Sequence, residues 1–141
     1  MKTKAQNTIA VFFGIVTTVA VAATLISLMK IQLSHTVMDA MQKREQVSYT
    51  VIFSYEFLWV AVSGFVGGFV ASTIAAERKV YYALITGTFN FVILVFGSTV
   101  VTKTAVASVL LALSLIPLTL MGGIVRQLIE NKKEDQEDQN Y

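Results

Sequence analysis

The sequence predicts an all-α integral membrane protein, built as a bundle of four transmembrane helices. Of its 141 residues 55% are hydrophobic and only 14% are charged, and the mean hydropathy is +0.65. A soluble domain carries about 25% charged residues. The few charges also lie in clusters, and the apolar runs between them reach the roughly 20 residues that a helix needs to cross a bilayer. We therefore expect lipid around most of the helical surface.

The four spanning helices are predicted at residues 8–29, 49–76, 80–101 and 104–124. With their connections they form a transmembrane domain over residues 1–130, followed by a polar, disordered cytoplasmic tail at 131–141. The first run exceeds the about 7 to 15 residues of a signal-peptide core, so we interpret it as a helix that stays in the chain, with cleavage as the alternative. The connection at 30–46 is either an ordinary loop or a helix that continues at the membrane surface.

The distribution of basic residues predicts the orientation of the bundle. With four crossings, both termini and the charged turn at residues 77–79 share one side of the membrane. That side holds seven basic residues, Lys2, Lys4, Arg78, Lys79, Arg126, Lys132 and Lys133. The other side holds four, Lys30, Lys43, Arg44 and Lys103. Because basic loops stay in the cytoplasm, both termini are predicted to be cytoplasmic and the protein to be a multi-pass protein of the inner (plasma) membrane.

The composition argues against most kinds of chemistry. The chain has no cysteine, which excludes disulfides, iron–sulfur clusters and thiol nucleophiles, and its one histidine is His35. No nucleophile, metallohydrolase or phosphate-loop motif occurs. The balance of 11 basic and 9 acidic residues gives no basic surface for a nucleic acid. We therefore expect no catalytic residues, no metal, no cofactor and no nucleic-acid partner.

Small residues at helical spacing mark the second helix as the centre of packing. Hydrophobicity does not hold helices together in lipid, so small residues indicate where two backbones approach closely. The second helix has overlapping series of this kind, and the third adds a glycine and a mid-helix amide. The predicted helix-packing residues are Ser63, Gly64, Gly67, Gly68, Ala71, Gly87 and Asn90. The pattern does not tell whether the contacts form within one chain or between chains.

Glu56 is the ionisable residue that the sequence places within a spanning helix. It falls on the same helical sector as Ser63 and Gly67, and we expect it about 9 Å below the outer membrane boundary. An ionisable side chain at that depth is a candidate functional group. Glu56 with the aromatic residues Tyr49, Tyr55 and Trp59 is therefore a candidate proton or cation site. The structural alternative is a carboxyl group that bonds to a neighbour or reaches the interface.

Two resemblances follow from these residues. Residues 67–75 (GGFVASTIA), the basic turn at 77–79 and residues 83–87 (ALITG) resemble a loose group of small bacterial four-helix membrane proteins of unknown function. This resemblance implies the fold and the topology. The single membrane glutamate is also similar to that of small multidrug-resistance exporters, four-helix dimers that exchange protons for cationic drugs. Their glutamate lies in the first helix, whereas Glu56 lies in the second.

The sequence thus favours a small polytopic membrane protein that acts by helix association. It would be a self-assembling or accessory subunit without catalytic activity, packed through Gly64, Gly67, Gly68 and Ala71, with the bilayer and a membrane-protein partner or a second copy as its contacts. The alternative is a dimeric proton-coupled transporter that uses Glu56 as its proton and cation site.

Overall fold

The computed structural model describes residues 2–43, 49–97 and 105–138, and these form four α-helices. Their bounds are α1 Lys2–Lys43, α2 Tyr49–Ile74, α3 Lys79–Gly97 and α4 Ala105–Asp138. Each helix contains a stretch long and apolar enough to cross a membrane: Thr3–Leu28, Glu56–Ile74, Lys79–Phe96 and Val109–Lys133. The all-helical class and the four apolar helices predicted from the sequence are confirmed.

Helices α1 and α4 extend further than the hydropathy pattern predicted. α1 continues to Lys43, so the segment that follows the first apolar run is helical and is not an irregular loop. This segment has no glycine or proline to stop the helix. α4 continues to Asp138, through most of the segment expected to be a disordered tail. Adding residues to an existing helix needs no new nucleus, and lysine, glutamate and glutamine propagate helices well.

The helices are arranged around the α2–α3 pair. α1 and α4 lie on opposite sides of this pair, and each of them packs against both α2 and α3. In the described ranges no contact joins α1 to α4. Because α2 has the most extensive contacts, with α4 on one side and α1 on the other, its small-residue face decides how closely the bundle closes.

The interior consists mainly of small side chains. The buried apolar residues are Ala10, Val60, Ala71, Ala75, Ala83, Leu111, Ala112 and Leu115. Large apolar side chains point outward instead, and Phe12 and Phe96 are 63% and 77% exposed. This distribution is the reverse of a soluble core and is typical of helices whose surroundings are lipid.

Candidate functional site

At the crossing of α2 and α4 the two helix backbones lie in direct contact. A Cβ atom on Gly68 would overlap the carbonyl oxygen of Thr119 and lie 2.6 Å from its carbonyl carbon. A Cβ on Gly122 would overlap the carbonyl oxygen of Phe65 and lie 2.9 Å from the backbone nitrogen of Phe69. Each glycine therefore meets the backbone of the opposite helix. Since a backbone has no side-chain rotamer by which to move away, both positions require glycine.

Gly64 lies one turn before Gly68 and completes the same contact. A Cβ on Gly64 would lie 2.9 Å from Leu115 Cδ2 and 3.5 Å from Leu118 Cβ. Leu115 belongs to an apolar cluster with Val60 and Leu111, against which Trp59 also packs. The α2–α4 crossing thus combines backbone contact at one level with side-chain packing at the next.

The contact of α1 with α2 is also made through glycine. A Cβ on Gly67 would overlap the Thr18 hydroxyl and lie 2.9 Å from the Gly14 carbonyl oxygen. The Thr18 hydroxyl donates to this same carbonyl at 2.9 Å. It accepts from the Asn90 side-chain nitrogen, also at 2.9 Å, so one buried chain of hydrogen bonds connects α3 to α1 beside Gly67. An amide in this position holds neighbouring helices together.

The remaining predicted packing residues are also buried. Ser63 and Ala71 are fully enclosed. A Cβ on Gly87 would overlap the Thr119 hydroxyl, and this links α3 to the same α4 residue that faces Gly68. The structure therefore places all seven predicted packing residues between helices of one chain. The space beside the α2 glycines is filled by α1 and α4 of the same chain, which is the within-chain form of the two that the sequence pattern left open.

A polar cluster that the sequence reasoning missed lies at the end of the bundle that carries the termini. Asn7 Nδ2 donates to the Tyr82 hydroxyl at 3.0 Å, and Asn7 Oδ1 accepts from the Ala76 backbone N–H at 3.1 Å. Gln6 Nε2 donates to the Ile74 carbonyl at 3.0 Å. Two consecutive side chains of α1 thus satisfy backbone groups at the end of α2. The available signal was an adjacent Gln–Asn pair at the start of an apolar run.

The same end is tied to α4. Lys79 forms an ion pair with Glu130. Arg126 Nε donates to the Thr73 hydroxyl at 3.2 Å, and the Ser72 hydroxyl donates to the Lys79 carbonyl at 3.1 Å. In the turn between α2 and α3, Arg78 takes a left-handed conformation, with φ 49°. All four helices are therefore connected by polar contacts at this end.

Glu56 is half-buried on α2, one turn before Val60. In the described part of the chain, no hydrogen bond or ion pair joins its carboxylate to another residue. Trp59 lies next to it along the helix and packs against the apolar cluster. The side chains of Tyr49 and Tyr55 lie outside the described residues.

Groups able to bind a metal do not converge in the described ranges: no three His, Cys, Asp or Glu side chains come together. Buried side-chain nitrogen and oxygen atoms of these ranges all have hydrogen-bond partners. Comparisons of the chain with protein-family models, curated proteins and solved structures gave no match.

Proposed function

We propose that the chain is a multi-pass membrane protein, with both termini in the cytoplasm, that acts by associating with another membrane protein or with further copies of itself. The observation that carries this proposal is the closed interior. Glycines bring the helices into backbone contact, and the buried polar side chains of the described ranges are satisfied within the chain. An interior of this kind supports a rigid body, whose contacts with other molecules form on its outer surface.

The helical extensions support the same proposal. α1 continues about 15 residues beyond its apolar span, roughly 22 Å of helix. At the other end of the molecule α4 continues about five residues beyond its span. The protein thus extends at both ends of the bundle, and these segments offer surface for a partner beyond the lipid.

Proton-coupled transport is the second candidate function, and Glu56 is the observation that favours it. Glu56 is the first residue of an apolar span, and a carboxylate there that has no hydrogen bond or ion pair with a described residue is able to exchange a proton or accept a cation. The two candidates predict different behaviour for Glu56→Gln. Transport requires the ionisable group, whereas association depends on the outer surface of the bundle.

We expect Glu56→Gln to leave the state of association unchanged. The test is to excise wild type, Glu56→Gln and the control Glu77→Gln from the membrane in polymer-bounded nanodiscs and to measure the mass of each particle. Glu77 is an exposed carboxylate in the α2–α3 turn and is a matched control for loss of charge. Association predicts that all three particles contain the same second chain, either another copy or a partner. Proton flux measured in proteoliposomes with lipophilic cations should be at background for all three.

Two results would contradict association. One is a wild-type particle with a single chain. The other is a cation-driven proton flux that Glu56→Gln abolishes and Glu77→Gln preserves, which would support transport instead.

A further inference from the structure

A groove of about 640 Å³ lies between α1 and α3 on the outside of the bundle. It begins at the end that carries the termini and runs along both helices within their apolar spans. Its two ends differ in chemistry. Lys4, Asn7 and Tyr82 line one end, whereas Phe12, Ile15 and Phe89 line the other. The groove is therefore amphipathic along its length.

The polar end has a positive charge and a hydroxyl proton available to an acceptor. The Tyr82 hydroxyl accepts from Asn7, and no residue in the described part of the chain accepts the hydroxyl's own proton. Lys4 is exposed and forms no ion pair there. It is also the one charged residue among the described residues that line the groove. A negatively charged oxygen at this position would satisfy both groups.

The apolar end matches a hydrocarbon chain. Phe12 and Phe89 are 63% and 52% exposed and flank the groove from opposite helices. These walls offer water no hydrogen-bond partners, so filling this part with water is unfavourable. A flexible alkyl chain has no polar groups to satisfy. The groove thus fits a molecule with an anionic head at the level of Lys4 and a hydrocarbon chain that extends toward Ile15.

We propose that the groove binds one anionic phospholipid. Its phosphate pairs with Lys4 and accepts the hydrogen bond of Tyr82, and one acyl chain lies between α1 and α3 along Phe12 and Phe89. The proposal rests on the membrane location given under the proposed function. It does not depend on whether the protein associates with a partner or transports cations.

Native mass spectrometry of the detergent-solubilised protein tests this site. Phosphatidylglycerol and phosphatidylcholine with identical acyl chains are titrated separately into wild type, Lys4→Gln and Lys132→Gln. Lys132 is an exposed lysine on α4 outside the groove and controls for general charge attraction. We expect a preference for phosphatidylglycerol in wild type. Lys4→Gln should lower its apparent affinity about 5-fold, the effect of one basic residue near an anionic lipid, while Lys132→Gln leaves the affinity unchanged.

A second variant tests the acyl-chain part of the groove. Val11→Trp adds bulk between the two walls and should reduce the binding of both lipids. Circular dichroism shows whether each variant is folded, and resistance to carbonate extraction shows membrane insertion independently of lipid binding. Failure of the lipid site is thereby distinguished from failure of the proposed membrane location.

Three results would overturn the proposal. The first is equal binding of the two lipids by wild type. The second is the same loss of affinity in Lys4→Gln and Lys132→Gln, which would indicate general charge attraction. The third is a dimer that Val11→Trp dissociates while Lys4→Gln leaves lipid binding unchanged, which would make the groove a contact for a second chain.

Discussion

Gly68→Leu is expected to abolish the packed fold. The first carbon of any side chain at this position would overlap the Thr119 carbonyl oxygen and come within 2.8 Å of the Thr119 Cα. Relief requires moving α2 away from α4, which also opens the reciprocal contact of Gly122 with Phe65. Overpacking usually costs about 1 to 3 kcal/mol. A clash between two backbones should be at the upper end of that range or above it.

Thermal unfolding in detergent, followed by circular dichroism and size-exclusion chromatography, measures this effect. We expect Gly68→Leu to aggregate or to lose its cooperative transition, and Gly68→Ala to be clearly destabilised despite the better helix propensity of alanine. The control Ala20→Leu enlarges an exposed residue of α1 and should behave as wild type. Normal stability of Gly68→Leu would show that α2 and α4 do not cross at this residue.

Gly67→Ala is expected to destabilise the bundle in a way that a second substitution partly reverses. The added Cβ would overlap the Thr18 hydroxyl, a side-chain atom, and Thr18→Ala removes that atom. The Gly14 carbonyl oxygen would still lie 2.9 Å away, so the recovery is incomplete. Thr18→Ala alone also destabilises, because Asn90 loses the acceptor of its buried hydrogen bond, at a cost of about 1 kcal/mol.

The double mutant Gly67→Ala/Thr18→Ala should therefore be more stable than the sum of the two single losses predicts. A double-mutant cycle of unfolding free energies measures this coupling, expected at about 1 kcal/mol. The same cycle with Gly68→Ala and Thr18→Ala is the matched control, because Gly68 faces α4 and should show additive effects. Additivity in both cycles would contradict the placement of Gly67 against Thr18.

Hydropathy was sufficient to predict the four helices because each contains an apolar run long enough to span a bilayer. It was not sufficient for their ends. Hydropathy identifies only the apolar part of a helix, whereas α1 continues to Lys43 through residues that are polar but form helices well. Charge counting considered only the lysines among the first residues of the chain. It therefore missed Gln6 and Asn7, whose side chains form hydrogen bonds with backbone groups at the end of α2.

Small-residue spacing predicted which face of α2 packs but not what packs against it. Glycine series of this kind form within one chain and between chains with the same pattern. The structure divides the series by face: Gly67 meets α1, while Gly64 and Gly68 meet α4. This division is absent from the sequence, because it depends on the positions of helices that are distant along the chain. We accordingly propose that association uses the outer surface of the bundle and the helical extensions, and not the glycines.

Disulfide cross-linking tests whether the α2 glycine face closes the bundle within one chain. The chain has no cysteine, so an introduced pair is unambiguous. A Cβ at position 64 lies 3.5 Å from that of Leu118, within the range that a disulfide needs, about 3.5 to 4.5 Å.

The control pair joins Gly64→Cys with a cysteine at Leu113, which is 52% exposed on α4. After mild oxidation of native membranes, we expect Gly64→Cys/Leu118→Cys to form a disulfide within a single chain and the control pair to form none. A covalent dimer through the Gly64→Cys/Leu118→Cys pair would show instead that the glycine face joins two chains.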